Sequence, residues 1–316
     1  MTSRIHLTGL QSVEYAHPLD TEALKQLNAV PGLPSIVRKA NDVGLDRIAR
    51  LESLANWIRI TEKQFGELYS LFAEAKAILD IRFPVDLYIA QSPWPNASTR
   101  GVEYPHVMLT TALVKSLTDE ELIFIIGHEL GHVKSEHVLY RQIGSYFPKI
   151  AGLIGSASLG IGSLLVTGVT AALYEWIRKS ELTADRAGLL VCQNPAVAQR
   201  ALCRLAGIPD SAAAAFDMNE LQAQVDEFNR LAADTSGKAL QFLAQMWNEH
   251  PWIAIRLSEL KKWDESGGYR VLLERHGGRS IQPIRRCRSC ASDFPAGSSY
   301  CIYCGAYQEM KKPDRV

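Results

Sequence analysis

The sequence predicts an α+β protein that is mostly α-helical, with a small sheet and a separate C-terminal module. Three observations support this fold class. Apolar residues recur at helical spacing along most of the chain, two short segments between residues 85 and 110 have the composition of strands, and four cysteines follow residue 284. A chain of 316 residues can form one large domain with its own core and a small appended module.

The N-terminal part is predicted to be helical. Residues 20–30 and residues 42–81 show helical periodicity, and the second segment is predicted as one long amphipathic helix. The apolar residues expected to face inward on this helix are Leu45, Ile48, Leu51, Leu54, Ile58, Leu68, Leu71 and Leu79. Pro84 ends the pattern, because proline cannot continue a helix.

The small sheet is predicted next. Residues 85–89 and 107–110 have strand composition, and a proline-rich loop lies between them. Helices are then expected from residue 111 to about residue 263, with Pro195 and Pro209 separating them. Two Gly-Gly pairs in residues 266–283 predict a linker to the C-terminal module.

The most informative motif is H-E-x-x-H at residues 128–132, inside a predicted helix that begins with the capping-box pair Thr118 and Glu121. Two histidines four residues apart share one helix face, so His128 and His132 can bind one metal ion. Glu129 is placed between them to take a proton from a water that the metal activates. The alternative is a pair of solvated histidines on an ordinary helix.

A catalytic zinc site needs a third protein ligand. The sequence lacks the glycine and third histidine of the H-E-x-x-H-x-x-G-x-x-H pattern, and His137 is expected on the opposite side of the helix from His128. Glu181 and Asp185 are four residues apart and share a face if helical. One carboxylate can then bind the metal while the other accepts the second N–H of a ligating histidine.

With these motifs in this order, residues 15–260 resemble the HtpX-like and CAAX-prenyl-protease-like gluzincin metallopeptidases. The further segments that carry the resemblance are His17 to Asp20, Val30 to Leu33, Asn96-Ala97 before an edge strand, and His250-Pro251 with Arg256. The resemblance implies that Glu181 is the third zinc ligand and that Asp185 is the carboxylate that supports a ligating side chain from behind. It also implies that His250 lies near the substrate carbonyl and that Arg256 is an orienting side chain.

The resemblance implies a gluzincin domain over residues 1–265 and a zinc-dependent metalloendopeptidase with Glu129 as general base. Protein or peptide substrates are expected to extend along the edge strand near Asn96 and Ala97. The alternative is a non-catalytic or latent chaperone-like or adaptor protein. The intact glutamate and ligand set favour the enzyme.

A second metal site is predicted in the C-terminal module, residues 284–316. Cys287, Cys290, Cys301 and Cys304 form two C-x-x-C pairs, the pattern of a closed structural zinc site in a zinc ribbon. Two disulfides are the alternative, which is less favoured because no signal peptide is recognised. We therefore expect two zinc ions, one catalytic and one structural. The ribbon is expected either to recruit a protein partner or to act as a stabilising cap.

Charge and hydropathy set the remaining expectations. Lysine plus arginine and aspartate plus glutamate number 34 each, so no nucleic-acid partner is expected. Residues 150–174 carry no charge, but the two metal-binding motifs flank them and must lie on one side of any bilayer. We therefore expect a helical hairpin that packs on the domain or contacts a membrane surface, in a cytoplasmic enzyme.

Overall fold

The computed structural model describes residues 4–30, 33, 37, 44–155, 161–208, 216–231, 252–277, 284–286 and 293–295. Helices dominate these residues around one small sheet, which confirms the predicted mostly helical α+β class. The helices are α1 (Ser12–Tyr15), α2 (Pro18–Asn28), α3 (Leu45–Asn56), α4 (Gly66–Ile78), α5 (Thr111–Ser116), α6 (Asp119–Lys134), α7 (Val138–Gly155), α8 (Ile161–Cys192), α9 (Pro195–Leu205), α10 (Met218–Leu231), α11 (Ile253–Glu265) and α12 (Gly268–Gly277).

The main sheet has four strands in the order β1-β2-β4-β3. They are β1 (Ile58–Ile60), β2 (Asp86–Ala90), β3 (Ala97–Arg100) and β4 (His106–Thr110). Strands β2 and β4 are parallel, whereas β1 and β3 pair antiparallel with their neighbours. The predicted strands and the edge strand are confirmed, and β3 lies at one edge. A second antiparallel pair joins β5 (Ile284–Arg286) to β6 (Asp293–Pro295).

The prediction of one long helix over residues 42–81 was wrong. Helix α3 ends at Asn56 and α4 begins only at Gly66, with β1 between them. Ile58 pairs with Ile89 and Ile60 pairs with Leu87 in β2. Ile58 and Ile60 are β-branched, and their pairing with β2 overrides the local helical periodicity. Four residues expected to face inward are instead exposed: Ile48 by 37%, Leu51 by 59%, Leu54 by 48% and Ile58 by 55%.

Helix α6 forms the centre of the protein. Its capping box is present, since Thr118 N donates to Glu121 Oε2 at 3.0 Å and Thr118 Oγ1 accepts from Glu121 N at 3.3 Å. All residues from Glu121 to Val133 are buried. The helix therefore starts where the sequence predicts and carries the H-E-x-x-H motif into the core.

Glycines allow α6 and α8 to approach each other closely. A Cβ atom on Gly131 would lie 2.5 Å from the Cβ of Ala187, and one on Gly127 would lie 2.6 Å from the Cβ of Val191. Both distances are shorter than a van der Waals contact, so only glycine fits at these two positions. This close approach brings the motif on α6 next to the residues of α8.

We expect Gly131→Ala to lower the free energy of unfolding by about 1–3 kcal/mol, because the added methyl group overpacks the helix interface. It should also weaken zinc binding by separating α6 from α8. Urea unfolding and competition with a chelator measure the two effects. Gly168→Ala is the matched control, since a Cβ there meets nothing within 4 Å. Equal behaviour of the two variants would contradict this account of the interface.

Helix α7 follows the H-E-x-x-H motif, and α8 carries Glu181 and Asp185. The two helices contact each other, and residues 156–160 between them lie outside the described residues. Among the helices that the structure describes, none has the length and apolarity needed to cross a bilayer.

The predicted linker is partly wrong, because α12 lies within residues 266–283. Tyr269, Leu272 and His276 of this helix are buried, and Gly267 has a positive φ of 78° in the turn before it. The glycines thus mark the ends of a helix rather than an extended linker.

Candidate active site

Two helices supply the candidate metal ligands: His128 and His132 lie on α6 and Glu181 lies on α8. One possible ligand atom from each residue falls within 4.8 Å of the other two. Nε2 of His128 is 3.5 Å from Oε2 of Glu181, and Nε2 of His132 is 3.2 Å from Oε1. All three side chains are buried. The structure therefore brings Glu181 beside two histidines that lie far from it in the sequence.

The donor set fits a zinc ion. Two imidazoles and one carboxylate are a common catalytic zinc set. Among the atoms of the described residues, Nε2 of His132 has no hydrogen-bond partner although it is buried. Burial lowers the pKa of His132 well below its ordinary value, with a further contribution from Arg141. His132 is thus held neutral, which is the state that binds a metal.

An acidic residue and an arginine orient His128. Nδ1 of His128 lies 2.9 Å from Oδ1 of Asp185, and Arg256 donates to Asp185 from Nε at 2.8 Å and from Nη2 at 2.5 Å. Burial lowers the pKa of His128, but Asp185 and Glu181 outweigh it and raise the pKa to about 9 without a metal. The carboxylate of Asp185 fixes the proton on Nδ1 and leaves Nε2 to face Glu181.

Glu129 lies at the wall of the same site and is held by the edge strand. Oγ1 of Thr99, on β3, donates to Oε2 of Glu129 at 2.5 Å and lies 3.0 Å from the main-chain oxygen of Glu129. Thr99 did not emerge from the sequence. It lies two residues after Ala97 and so shares its side of the strand, but the sequence does not show which helix that side meets.

The edge strand lies along two cavities. One of about 240 Å³ is lined by Ala97, His128, Glu129 and Glu181, among others. The other, of about 280 Å³, lies along β3 towards Arg141. Asn96 and Ala97 line both cavities. The two cavities therefore adjoin at these two residues, and the smaller one contains the candidate ligands His128 and Glu181.

The main-chain groups of Asn96 form hydrogen bonds with Thr110 of β4. Its N–H donates to Thr110 Oγ1 at 2.9 Å, and its carbonyl accepts from Thr110 N at 3.0 Å. Because the groups alternate along an antiparallel strand, Ala97 and Thr99 direct their main-chain N–H and C=O groups to the free edge. Gln142 Oε1 accepts from Gly101 N at 3.2 Å and closes the far end of this edge.

The expectation that His137 lies opposite His128 was wrong. Helix α6 ends at Lys134, and Glu136 has a left-handed φ of 58° that turns the chain back. His137 N therefore donates to the main-chain oxygen of His132 at 3.0 Å, and the two Nδ1 atoms are also 3.0 Å apart. The spacing argument failed because it assumed that the helix continues.

His250 and the four cysteines Cys287, Cys290, Cys301 and Cys304 lie outside the described residues. The other two cysteines, Cys192 and Cys203, are buried, and burial raises the pKa of the Cys203 thiol to about 11.

Comparison with known proteins agrees with this geometry. Residues 62–264 match the model of peptidase family M48. The chain is 30% identical to the plastoglobule-localized metallopeptidase 48 of Arabidopsis thaliana, over 86% of this chain and 78% of that protein. It is 27% identical to protease HtpX homolog 2 of Methanosarcina acetivorans, over 64% of this chain and 74% of that protein. It is 25% identical to the protease HtpX homolog of Moorella thermoacetica, over 65% of this chain and 75% of that protein. The chain therefore belongs to peptidase family M48 and is a zinc metallopeptidase acting on proteins or peptides.

Proposed function

We propose that this protein is a zinc-dependent endopeptidase in which His128, His132 and Glu181 hold the metal and Glu129 is the general base. The observation that carries the proposal is the convergence of the three ligand atoms within 4.8 Å beside Glu129, in a cavity next to β3, which is an edge strand in the described part of the chain. Zinc, when bound, supplies a Lewis acid that activates water and polarises the scissile carbonyl.

The protein residues perform the proton transfers in this proposal. Glu129 accepts the proton of the attacking water and passes it to the amine that leaves. The hydrogen bond from Thr99 holds the carboxylate in place for both steps. His250 is proposed to donate a hydrogen bond to the oxygen that becomes negatively charged. Arg256 acts through Asp185 to orient His128.

The substrate is proposed to add a strand to the free edge of β3. Ala97 and Thr99 offer main-chain groups there, and such pairing recognises an extended peptide with little dependence on its sequence. Two cavities share Asn96 and Ala97, and the peptide is proposed to extend from one into the other past these residues, so that it does not end in the site. This favours internal cleavage over removal of terminal residues.

Ala97→Pro tests this binding mode, because proline removes the N–H that would pair with the substrate. We expect kcat/KM for a fluorogenic peptide to fall at least about tenfold, with zinc content unchanged. Ala97→Ser keeps the N–H and should stay within a few-fold of the unmodified enzyme. Similar activity of the proline and serine variants would exclude pairing at this residue.

The C-terminal module is proposed to be a zinc ribbon with a structural zinc held by Cys287, Cys290, Cys301 and Cys304. The expected role in partner binding or stabilisation stays a proposal, as does contact of residues 150–174 with a membrane surface in a cytoplasmic enzyme. The short strands β5 and β6 lie just before and within the cysteine-containing segment.

Metal analysis tests both sites together. We expect two zinc ions per chain, and chelation should abolish cleavage until zinc is restored. Glu181→Ala should lose one zinc ion and the activity, because only two ligands remain at the active site. Cys301→Ser should lose the other zinc ion and keep cleavage. A single zinc ion in the intact chain would contradict the assignment of two sites.

A further inference from the structure

We infer that Asp20 and His137 hold His132 in the tautomer that binds zinc, which makes helix α2 part of the metal site. The inference rests on the proposed role of His132 as a zinc ligand. The family match covers residues 62–264, so Asp20 lies outside it.

The contacts form a continuous chain from α2 to the metal ligand. Nδ1 of His132 is 3.0 Å from Nδ1 of His137, and Nε2 of His137 is 3.2 Å from Oδ2 of Asp20. Thr183, on α8, donates from Oγ1 to the same oxygen of Asp20 at 2.5 Å. All four residues are buried, with exposures of 4% or less. These side chains are therefore shielded from water, which cannot replace the hydrogen bonds between them.

The positions of the protons follow from the contacts at the end of this chain. Oγ1 of Thr183 and Nε2 of His137 both reach Oδ2 of Asp20, at 2.5 and 3.2 Å. A carboxylate oxygen accepts hydrogen bonds, so Nε2 of His137 carries a proton and donates it to Asp20.

A neutral imidazole has one N–H and one lone pair. Nδ1 of His137 is then the acceptor, and Nδ1 of His132 must be its donor. Nε2 of His132 is left with the lone pair. This atom lies 3.2 Å from Oε1 of Glu181 and makes no hydrogen bond among the described residues. The chain of hydrogen bonds thus selects the tautomer that a zinc ligand needs.

Helix α2 is fixed where Asp20 can reach His137. His17, the N-cap of α2, donates from its main-chain N to Thr183 Oγ1 at 2.9 Å. Its imidazole accepts from Leu19 N at 3.2 Å. Trp176 of α8 packs edge-on against His137, with ring centroids 5.5 Å apart. Docking of α2 on α8 therefore positions the carboxylate that acts through His137.

His128 and His132 are thus oriented by two separate carboxylates. Asp185, supported by Arg256, acts directly on His128, whereas Asp20 acts on His132 through a second histidine. Asp20 and His137 are positioning residues, since neither belongs to the cluster of ligand atoms.

The test measures zinc affinity by competition with a chelator of known affinity. His137→Phe fills the space without an acceptor for His132, and we expect affinity to fall by about 10–100-fold, as for other partners of ligating histidines. His137→Gln offers an amide oxygen to Nδ1 of His132 and should recover most of the loss. Asp20→Asn should lower affinity by about tenfold or more, because its amide can donate to His137 and favour the opposite tautomer.

The matched control is His276→Phe. His276 is also buried, and its Nε2 lies 3.1 Å from Oε1 of Glu14, but it is not part of the metal site. This variant should lose thermal stability and keep its zinc affinity. Unchanged affinity in both His137→Phe and Asp20→Asn, with stability losses like that of His276→Phe, would overturn the inference.

Nitrogen-15 NMR of the imidazoles in the zinc-loaded, unmodified protein provides a readout that does not depend on how the variants fold. The expected spectrum has His132 protonated at Nδ1 and bound through Nε2. Binding through Nδ1 would overturn the inference. Neither measurement uses peptide cleavage, so a failure here differs from a failure of the proposed peptidase mechanism.

Discussion

Replacement of Glu129 by glutamine is expected to lower kcat for peptide hydrolysis by about 10²–10⁴-fold, because the amide cannot accept the proton of the attacking water. The substitution keeps the size of the side chain and the oxygen that can accept from Thr99. Zinc should remain bound, since Glu129 is not in the cluster of His128, His132 and Glu181. Cleavage of a fluorogenic peptide and metal analysis of the same sample provide the two measurements.

Glu120→Gln is the matched control for this variant. Glu120 lies on the same helix, has a side chain that is 52% exposed and pairs with Arg4 on the surface. The substitution should leave kcat within about twofold, because an exposed ion pair contributes little. Near-normal cleavage by zinc-loaded Glu129→Gln would exclude Glu129 as the general base.

Replacement of Arg256 by methionine is expected to lower the free energy of unfolding of the zinc-loaded protein by about 3–5 kcal/mol, because it leaves a buried carboxylate without its partner. Arg256 is 7% exposed and Asp185 is 1% exposed, so water cannot replace the lost hydrogen bonds. Zinc affinity should also fall, since Asp185 then holds His128 less firmly. Urea denaturation at a fixed concentration of free zinc measures the change.

The double variant Asp185→Asn with Arg256→Met separates the two causes. Removing the carboxylate charge should restore part of the stability, while the orientation of His128 stays impaired and zinc affinity stays low. If the double variant is as unstable as the sum of the two single variants, the buried charge is not the reason for the loss.

Local sequence patterns were sufficient to predict the structure where neighbouring residues determine it. Thr118 and Glu121 mark the start of α6, and the four-residue spacing of His128 and His132 places both on one face. Asp185 and Arg256 both lie within hydrogen-bond distance of His128.

Local patterns failed where distant contacts decide. Residues 58–60 have helical spacing but pair with β2, which is distant in the sequence. His137 lies beside His132 because the chain reverses at Glu136, and nothing in the periodicity marks that turn. Thr99 reaches Glu129 only because the sheet packs on α6. These features depend on tertiary packing, which the sequence pattern does not contain.

The open edge of β3 has a consequence for the behaviour of the enzyme in concentrated solution. No strand among the described residues pairs with the outer edge of β3, and such an edge can pair with a strand of another copy, which is how aggregation often begins. Here the strand is four residues long, Pro95 lies just before it, and Gln142 occupies the main chain at Gly101. An edge this short, with the N–H at its end already hydrogen-bonded, offers too few hydrogen bonds to join two folded molecules.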